Sequence, residues 1–294
     1  MDDSVPTISV VTPSYNQGQF IERTIRSVLD QEYPALEYWV SDGLSTDETI
    51  SVLHRYKDRL RWISEKDRGQ ADAVNKGLRV TSGEIIGWLN SDDIYYPGAL
   101  AAVAARFEAE PTTDLIYGAA NHIDENDQVI ELYPTEPWSL ARFYQTCFLC
   151  QPAVFFRRSV VERWGGLDDT LQYSMDYEYW LRLALAGARF SFYESKILAG
   201  SRLHSDTKTL AKRARCHAEI NDMLRATLGK TPSAWILAYA HAVADNTFSI
   251  QRSRIKRHST VAALTALYAS VRWNRKITPD IAKFVRTVIA RLIR

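Results

Sequence analysis

The sequence predicts an α/β protein with a doubly wound, mostly parallel sheet, followed by a helical C-terminal region. Three observations carry this prediction. Apolar runs alternate with amphipathic helical segments along the first part of the chain, which is typical of repeated βα units. The apolar runs are short, as expected for strands that helices cover on both faces. Beyond His204 the periodicity is almost entirely helical.

The composition is that of a globular protein with an uneven charge distribution. Of 294 residues, 46% are hydrophobic and 24% charged, which excludes disordered and collagen-like classes and allows a sizeable core. Residues 205–294 carry 17 Lys and Arg against 5 Asp and Glu, whereas residues 1–204 carry 19 against 30. We therefore predict an acidic domain over 1–204 and a basic region over 205–294 that meets an anionic surface.

Four βα units account for the first part of the chain, each with a strand candidate, a polar loop and a helix candidate. The strand candidates are Ile8–Val11, Tyr38–Val40, Trp62–Ile63 and Glu84–Leu89, and the helices after them begin near Ile21, Ser45, Ala71 and Pro97. Ligands of such sheets bind where the C-terminal ends of the strands meet the following loops. The functional site is therefore expected among these polar loops.

The alternation of strands and helices ends after Leu115–Tyr117. A β-hairpin is predicted over Asn121–Leu132, with Asp124–Asp127 as its turn. Mixed structure continues through Ala153–Phe156 to a helix around Tyr177–Ala186. The second part of the domain is thus predicted to break the βα rhythm of the first.

The last segment is predicted to be an amphipathic helix. Its apolar residues, at spacings of three and four, are Ile281, Phe284, Val285, Val288, Ile289, Leu292 and Ile293, and its basic residues are Lys283, Arg286, Arg291 and Arg294. This pattern favours a helix that lies on an anionic membrane, and the alternative is a helix packed on the protein's own body. No run is long and apolar enough to span a bilayer.

The cysteines and the start of the chain bear on location. An odd number of cysteines, and a start without a basic segment leading into an apolar run, indicate the cytoplasm, with peripheral attachment to the inner face of its membrane as an extension. Cys147 and Cys150 form a CxxC pair, but no second pair completes a four-thiolate zinc site. Structural packing is favoured over a metal or redox function.

The loop after the first strand carries no glycine-rich phosphate motif. The absence of GxGxxG and GxxxxGK[ST] removes most support for a dehydrogenase or a P-loop enzyme. Tyr15 could instead stack on a nucleotide base, with Thr12 or a backbone group reaching the edge of the base. An ordinary strand-to-helix turn explains this loop equally well.

Carboxylates follow two further strands. Asp42 could accept from a ribose hydroxyl or a base N–H, and a capping or solvated Asp is equally plausible there. Asn90-Ser91-Asp92-Asp93 follows a buried strand, and adjacent carboxylates repel unless a cation or donor lies between them. Such oxygen ligands suit Mg²⁺ or Mn²⁺ held jointly with substrate phosphates. A metal site is favoured over a solvated turn.

Two residues of the second part complete the candidates. Asp176 lies at the entrance of a helix facing the loops and is a candidate general base, with a simple helix-start acid as the alternative. Glu178, two residues on, cannot share the same helix face. His204 could ligate a metal or contact phosphate, although a lone histidine is more often neither.

Together these residues resemble the family 2 inverting glycosyltransferases of the GT-A fold, from about Ile8 to His204. Each motif is weak alone, and their order makes the set highly specific. The motifs are Pro13-Ser14-Tyr15-Asn16, Ser27-Val28-Leu29-Asp30-Gln31, Ser41-Asp42-Gly43, Ser45-Thr46-Asp47-Glu48-Thr49, Asp72-Ala73-Val74-Asn75-Lys76-Gly77, Gly83-Glu84, Asn90-Ser91-Asp92-Asp93 and Met175-Asp176.

The resemblance implies a catalytic domain over residues 1–204, with a nucleotide-binding half over 1–118 and an acceptor and base half over 119–204. Asp176 would be the catalytic base. The residues implied for nucleotide and sugar binding are Thr12, Tyr15, Asp42, Asp67, Arg68, Gln70, Asn75, Asn90 and Asp92. Those implied for a bound Mn²⁺ or Mg²⁺ are Asp92, Asp93 and His204. Two positions depart from the family pattern, since Asn90 replaces the first Asp of Asp-x-Asp and Met175 replaces a common Glu.

The resemblance also implies the reaction and its partners. We expect sugar transfer from a nucleoside-diphosphate sugar, with UDP favoured, to a hydroxyl of a glycan or lipid-linked acceptor, in bacterial surface polysaccharide or glycolipid assembly. Nucleotidylyl transfer lacks its glycine-rich basic loop here, and a dehalogenase-type phosphatase lacks its Asp-x-Asp at the first strand. A nucleic-acid partner is not expected, since no recognised module is present. A non-catalytic nucleotide-sugar or glycan-binding protein on a degenerate GT-A fold is the alternative.

Overall fold

The computed structural model describes residues 5–204, 212–247 and 255–293, so the predicted flanking residue Arg294 lies outside the described residues. The chain divides into two compact units. The first comprises Met1–Leu140 and Cys147–His204, and the second comprises Ala141–Thr146 and Ser205–Arg294.

The first unit is an α/β unit. Its strands are β1 (Ile8–Ser14), β2 (Leu36–Asp42), β3 (Arg61–Ser64), β4 (Ile85–Trp88), β5 (Ile94–Tyr95), β6 (Leu115–Ile123), β7 (Val129–Leu132), β8 (Val154–Arg157) and β9 (Phe190–Arg202). Its helices are α1 (Ile21–Leu29), α2 (Thr49–Arg55), α3 (Gln70–Val80), α4 (Ala99–Ala109), α6 (Arg158–Trp164) and α7 (Met175–Leu185). A short α5 (Leu140–Phe143) and a 3-10 turn (Gln151–Ala153) lie between β7 and β8 along the chain.

The sheet has the strand order β3-β2-β1-β4-β8-β6-β9-β5, with β7 paired to β6. The strands of the four predicted βα units, β1 to β4, pair in parallel. On the other side β8 is antiparallel to β4 and β6, and β5 is antiparallel to β9. The α/β fold is confirmed, and the sheet is mixed rather than mostly parallel because the βα alternation ends after α4.

The centre of the sheet explains how α3 is placed. All seven residues of β1 are buried, and α3 packs on β1 and β2 through Gly77. A Cβ atom at position 77 would lie 2.3 Å from Cγ1 of Val11 and 3.2 Å from Cδ1 of Trp39. Only glycine allows this close approach, so the fit at Gly77 fixes the helix against the sheet.

Strand β9 has irregular pairing with β6. The two strands run parallel, but Gly118 faces Tyr193 while Ala119 faces Ile197, so residues 194–196 have no partner on β6. A second shift follows at Leu198, and regular pairing then runs from Ala120 opposite Ala199 to Ile123 opposite Arg202. Leu203 N donates to the Ile123 carbonyl at 2.9 Å. The end of β9 is therefore anchored beside the end of β6, two residues before His204.

The second unit is helical, which confirms the predicted helical C-terminal region. Its helices are α8 (Arg213–Leu228), α9 (Ser233–Thr247), α10 (Ile255–Asn274) and α11 (Pro279–Ile293). A core that includes Ile236, Ala240, Ala266, Trp273 and Ile281 joins α9, α10 and α11. Trp235 Nε1 donates to the Tyr144 carbonyl at 3.1 Å, so the short segment Ala141–Thr146 is tied to this unit.

The apolar face of α11 is largely used inside the second unit. Ile281 and Val288 are buried, and Phe284 and Val285 pack against the core of α9 and α10. These four residues therefore follow the alternative of packing on the protein's own body, and membrane contact by the helix stays a prediction. Ile289 and Ile293 remain exposed. Among the described residues, no helix has the length and hydropathy needed to cross a membrane.

Candidate functional site

The turn Asn90–Asp93 follows the buried strand β4 and is held from α1. The Thr24 hydroxyl, which is buried, donates to the carbonyls of Ser91 at 2.9 Å and Asp93 at 2.7 Å. The carbonyls of Ser91 and Asp93 lie in a turn beyond the end of β4, where, among the described residues, no neighbouring strand supplies a hydrogen-bond donor. Buried backbone carbonyls need a donor, and here the Thr24 side chain provides it. The position of this turn is therefore fixed by a side chain of another element.

Asp92 and His204 come together at this turn from distant positions of the chain. His204 Nε2 lies 3.1 Å from Asp92 Oδ2. The Asp92 side chain is 22% exposed, whereas that of His204 is 3% exposed. The ring of Phe20 lies 4.8 Å from the His204 imidazole and holds it from the other side. The carboxylate thus keeps access to solvent while the imidazole is fixed beneath it.

Asp93 has a different environment. It is 3% exposed, and its carboxylate accepts from Arg202 N at 2.8 Å and from Asn90 Nδ2 at 3.3 Å. Burial, and then the charge of Asp92, raise the pKa of Asp93 well above its ordinary value. Both carboxylate oxygens of Asp93 are thus engaged in holding the turn, and its role as a metal ligand stays a prediction.

Asn90 is the centre of a network of amides. Its Oδ1 accepts from Gln70 Nε2 at 2.6 Å and from Trp88 Nε1 at 2.9 Å. Its Nδ2 donates to Gln151 Oε1 at 2.8 Å as well as to Asp93. Gln151 in turn donates from Nε2 to the Trp88 carbonyl at 2.6 Å, which fixes the orientation of its amide. Position 90 must therefore supply a donor to Gln151, which an Asp carboxylate cannot do.

We expect Asn90→Asp, which restores the family's Asp, to destabilise the protein by about 1–3 kcal/mol, because it places an acceptor against two acceptors. The measurement is chemical denaturation at pH 7. The loss should shrink as pH falls, since protonation of the introduced carboxyl supplies a donor again.

Asn126→Asp provides the matched control for this substitution, because Asn126 has an exposed side chain in the turn between β6 and β7. It makes the same chemical change away from the amide network. Equal stability losses in the two variants would contradict the proposed donor requirement at position 90.

The loops after β1 and β2 are fastened to each other. Asn16 Oδ1 accepts from Thr46 N at 2.8 Å, and Gly18 N donates to Asp47 Oδ2 at 2.8 Å. Asp42 is 2% exposed and accepts from Ser45 N at 3.0 Å and from the Ser64 hydroxyl at 2.6 Å. In this arrangement Asp42 organises the loops around it, and its contact with a nucleotide stays a prediction.

Asp67 and Gln70 lie at the start of α3, beside these loops. Asp67 Oδ1 accepts from Gly69 N at 3.0 Å, and a Cβ atom on Gly43 would lie 2.6 Å from Asp67 Oδ2. Burial raises the pKa of Asp67, and the charge of Asp42 contributes in the same direction. The structure therefore brings Asp42 and Asp67 together, while Gln70 reaches Asn90 and links this group to the turn after β4.

Two of the residues predicted to contact the nucleotide have partners inside the domain, and their nucleotide contacts stay predictions. Thr12 is fully buried, and its hydroxyl lies 3.2 Å from the buried Tyr38 hydroxyl inside the sheet. Asn75 Nδ2 donates to the Leu167 carbonyl at 2.8 Å, and its Oδ1 accepts from Leu167 N at 2.9 Å. Both side chains serve the packing of the domain. Tyr15, by contrast, is 61% exposed and available for stacking.

Asp176 lies in the first turn of α7, where the helix dipole favours a carboxylate. Burial raises the pKa of the Cys150 thiol, and the charges of Asp93 and Asp176 raise it further. The charge of Asp176 also raises the pKa of Tyr133, for which burial is the main cause. Electrostatic interactions weaken with distance. Asp176 and Asp93, which lies in the turn after β4, therefore both act on the same buried Cys150 thiol.

The two cysteines of the CxxC pair are free thiols, and Cys150 belongs to the hydrophobic core. Among residues 5–204, 212–247 and 255–293, no cluster of three or more His, Cys, Asp or Glu side chains is arranged to hold a metal ion. Gln151 and Arg202, both buried polar residues that contact the turn, are not among the residues predicted from the sequence. The only sequence signal for Arg202 was its place two residues before His204.

Comparison with known proteins identifies relatives of the first unit. The model of the family described as Glycosyl transferase family 2 matches residues 9–165, more than half of the chain. Chondroitin synthase of Escherichia coli is 28% identical over 71% of this chain and 30% of its own length. Hyaluronan synthase of Pasteurella multocida is 27% identical over 71% of this chain and 22% of its own length. The chain thus spans about a third or less of these two relatives.

Solved structures share the fold. Residues 1–349 of S. aureus TarS in complex with UDP-GlcNAc match with a TM-score of 0.61 and 14% identity, over 98% of this chain and 88% of that one. The mannosyltransferase PcManGT from Pyrobaculum calidifontis, in complex with GDP-Man and Mn²⁺, matches with a TM-score of 0.62 and 22% identity, over 99% of this chain and 82% of that one. These likenesses of fold, together with the family match, confirm the predicted GT-A fold.

Proposed function

We propose that this chain, which belongs to glycosyl transferase family 2, transfers a sugar from a nucleoside-diphosphate sugar to an acceptor hydroxyl with inversion at the anomeric carbon. The observation that carries the proposal is the pairing of Asp92 with His204 at the turn after β4. The electrostatic proximity of Asp176 to the same region supports it. In this proposal Asp92 and His204 bind the leaving diphosphate, and Asp176 acts on the acceptor hydroxyl.

The donor set fits a divalent cation shared with a diphosphate. Asp92 offers a partly exposed carboxylate, and His204 Nε2 lies 3.1 Å from it. Mg²⁺ and Mn²⁺ are commonly held by one or two protein ligands together with substrate phosphates, so a third protein ligand is not required. When bound, the ion would stabilise the negative charge that develops on the leaving nucleoside diphosphate.

Asp176 is proposed as the general base. Its carboxylate would accept the proton of the acceptor hydroxyl as that oxygen attacks the anomeric carbon from the face opposite the diphosphate. Asp176 lies in the first turn of α7, where the helix dipole favours a negative charge. Attack on one face of the anomeric carbon, with departure of the diphosphate from the opposite face, inverts the configuration at that carbon.

A UDP-sugar is the proposed donor, and bacterial surface polysaccharide or glycolipid assembly is the proposed setting. A structure of similar fold holds UDP-GlcNAc and another holds GDP-Man, which supports a nucleotide sugar without selecting its base. The names of two bacterial relatives, chondroitin and hyaluronan synthase, support a glycan acceptor. A lipid-linked acceptor, a cytoplasmic location and membrane contact through the exposed Ile289 and Ile293 of α11 stay predictions.

The test is hydrolysis and transfer from a panel of nucleotide sugars, with Mn²⁺ or Mg²⁺ and with a chelator. We expect one nucleoside diphosphate to be released in a metal-dependent manner. Asp92→Ala should lose this release, because it removes the exposed carboxylate of the site. Asp58→Ala is the control, since Asp58 is an exposed acid on the surface after α2. Release that persists in chelator, or in Asp92→Ala, would contradict the metal role.

A further inference from the structure

Arg202 is a fully buried arginine at the end of β9, beside the turn that carries Asp92 and Asp93. Its side chain has 0% exposure. Burial of a charged group is unfavourable unless it is paired and hydrogen-bonded, so an arginine in this environment needs a full set of partners. The structure supplies a partner for each of its three guanidinium nitrogens.

The partners of Arg202 lie on two different segments. Nε donates to the Asp92 carbonyl at 2.6 Å, and Nη1 donates to the Asp124 carbonyl at 2.8 Å. Nη2 forms an ion pair with Asp127 Oδ1 at 2.5 Å. The planar fork of the guanidinium therefore joins the turn after β4 to the turn between β6 and β7 in one fixed geometry.

The backbone and the flat face of the same residue add two further contacts. Arg202 N donates to Asp93 Oδ1 at 2.8 Å. The guanidinium lies 5.0 Å from the centre of the Phe20 ring, and the His204 imidazole lies 4.8 Å from the same ring. Arg202 thus contacts Asp92 and Asp93 directly, and both Arg202 and His204 pack against the Phe20 ring.

We propose that Arg202 is a positioning residue that sets the Asp92 carboxylate and the His204 imidazole in the geometry for the diphosphate and its cation. The inference rests on the proposed function. A lysine at this position keeps the charge but replaces the planar fork by a single ammonium group, so it cannot reach all three partners. The role therefore depends on the shape of the guanidinium as well as on its charge.

The experiment compares wild type, Arg202→Lys, Arg202→Met and Arg23→Met in the full chain. Arg23 is the matched control, because it forms an ion pair with the other oxygen of Asp127 at 3.0 Å and also faces Phe20. Of these two arginines, Arg202 alone is described with hydrogen bonds to the turn after β4. Binding of Mn²⁺ is followed by the electron paramagnetic resonance signal of the free ion, alone and with UDP. Amide hydrogen exchange is measured over residues 90–93.

We expect both Arg202 variants to weaken Mn²⁺ binding by about 10- to 100-fold, the usual effect of removing a group that orients metal ligands. They should also speed exchange in residues 90–93, whereas Arg23→Met should leave both unchanged. Wild-type binding and exchange in Arg202→Lys would overturn the proposal, as would equal losses in Arg23→Met. If Arg202→Met does not fold, Arg202→Lys and Asp127→Ala still test it, the latter being expected to speed exchange because it removes the Nη2 partner.

The two readouts separate this proposal from the proposed function. If wild type binds no Mn²⁺ with UDP and transfers no sugar, the metal-dependent function fails, while hydrogen exchange still decides whether Arg202 holds the turn. If wild type binds and transfers but exchange is unchanged in Arg202→Lys, the positioning role alone fails.

Discussion

Replacing Asp176 by Asn should reduce kcat by about 10²- to 10⁴-fold, the usual contribution of a general base. The amide keeps the size of the side chain but cannot accept the proton of the acceptor hydroxyl. The KM for the donor should change little, since Asp92 and His204 remain in place. The measurement is steady-state kinetics with the donor that the panel identifies, together with nucleoside diphosphate binding. The acidic limb of the pH–rate profile should also disappear.

Glu178→Gln is the control for this prediction. Glu178 lies on the same helix and forms an ion pair with Arg182 at 2.7 Å, so its substitution removes a carboxylate without touching the proposed base. We expect lower stability but nearly unchanged kcat. If Asp176→Asn turns over at the wild-type rate, or if Glu178→Gln is the variant that loses turnover, Asp176 is not the base.

Gly77→Val should destabilise the first unit by about 3 kcal/mol, at the upper end of what overpacking of a core costs. The first added carbon would already lie 2.3 Å from Cγ1 of Val11, and Trp39 closes the other side at 3.2 Å. Since Val11 belongs to the central strand, the helix must move away from the sheet. Chemical denaturation of wild type and variant measures the loss.

A compensating substitution tests the cause of this loss. Val11→Ala removes the methyl groups that the new side chain would strike, at the expense of a small cavity in the wild-type background. The double variant should be more stable than the sum of the two single losses predicts, with a coupling of about 0.5–3 kcal/mol. Strict additivity would show that contact with Val11 is not what makes Gly77→Val unfavourable.

The sequence was sufficient for the elements whose signals are local. Periodicity located the four βα units, and loop positions at the ends of β2 and β4 located Asp42 and Asp92, because parallel strands end at one edge of the sheet. The antiparallel pairing of β5 with β9 could not be predicted from local signals. Strand direction there depends on partners that are far apart in the chain, such as Ile94 and Gly200.

The differences between the expected and the observed side-chain environments in the site have a common physical origin. Residue type and strand position do not reveal which side of a turn a carboxylate faces, so Asp92 and Asp93 received the same prediction although only Asp92 is appreciably exposed. Thr12 was expected at the end of the first strand, within reach of a base edge, but β1 continues to Ser14 and Thr12 is buried within it. Arg202 was missed because its partners are mostly backbone carbonyls, which leave no trace in residue identity.

The irregular pairing of β9 has a consequence for how length variation can be accommodated during evolution. Insertions at 194–196 extend a stretch without a partner on β6, so the strand beyond them keeps its register. Deletion of one residue between Ala199 and Arg202 would instead turn the remaining side chains of β9 to the opposite face of the sheet. Homologous chains should therefore differ in length at 194–196 and keep a constant spacing from there to His204.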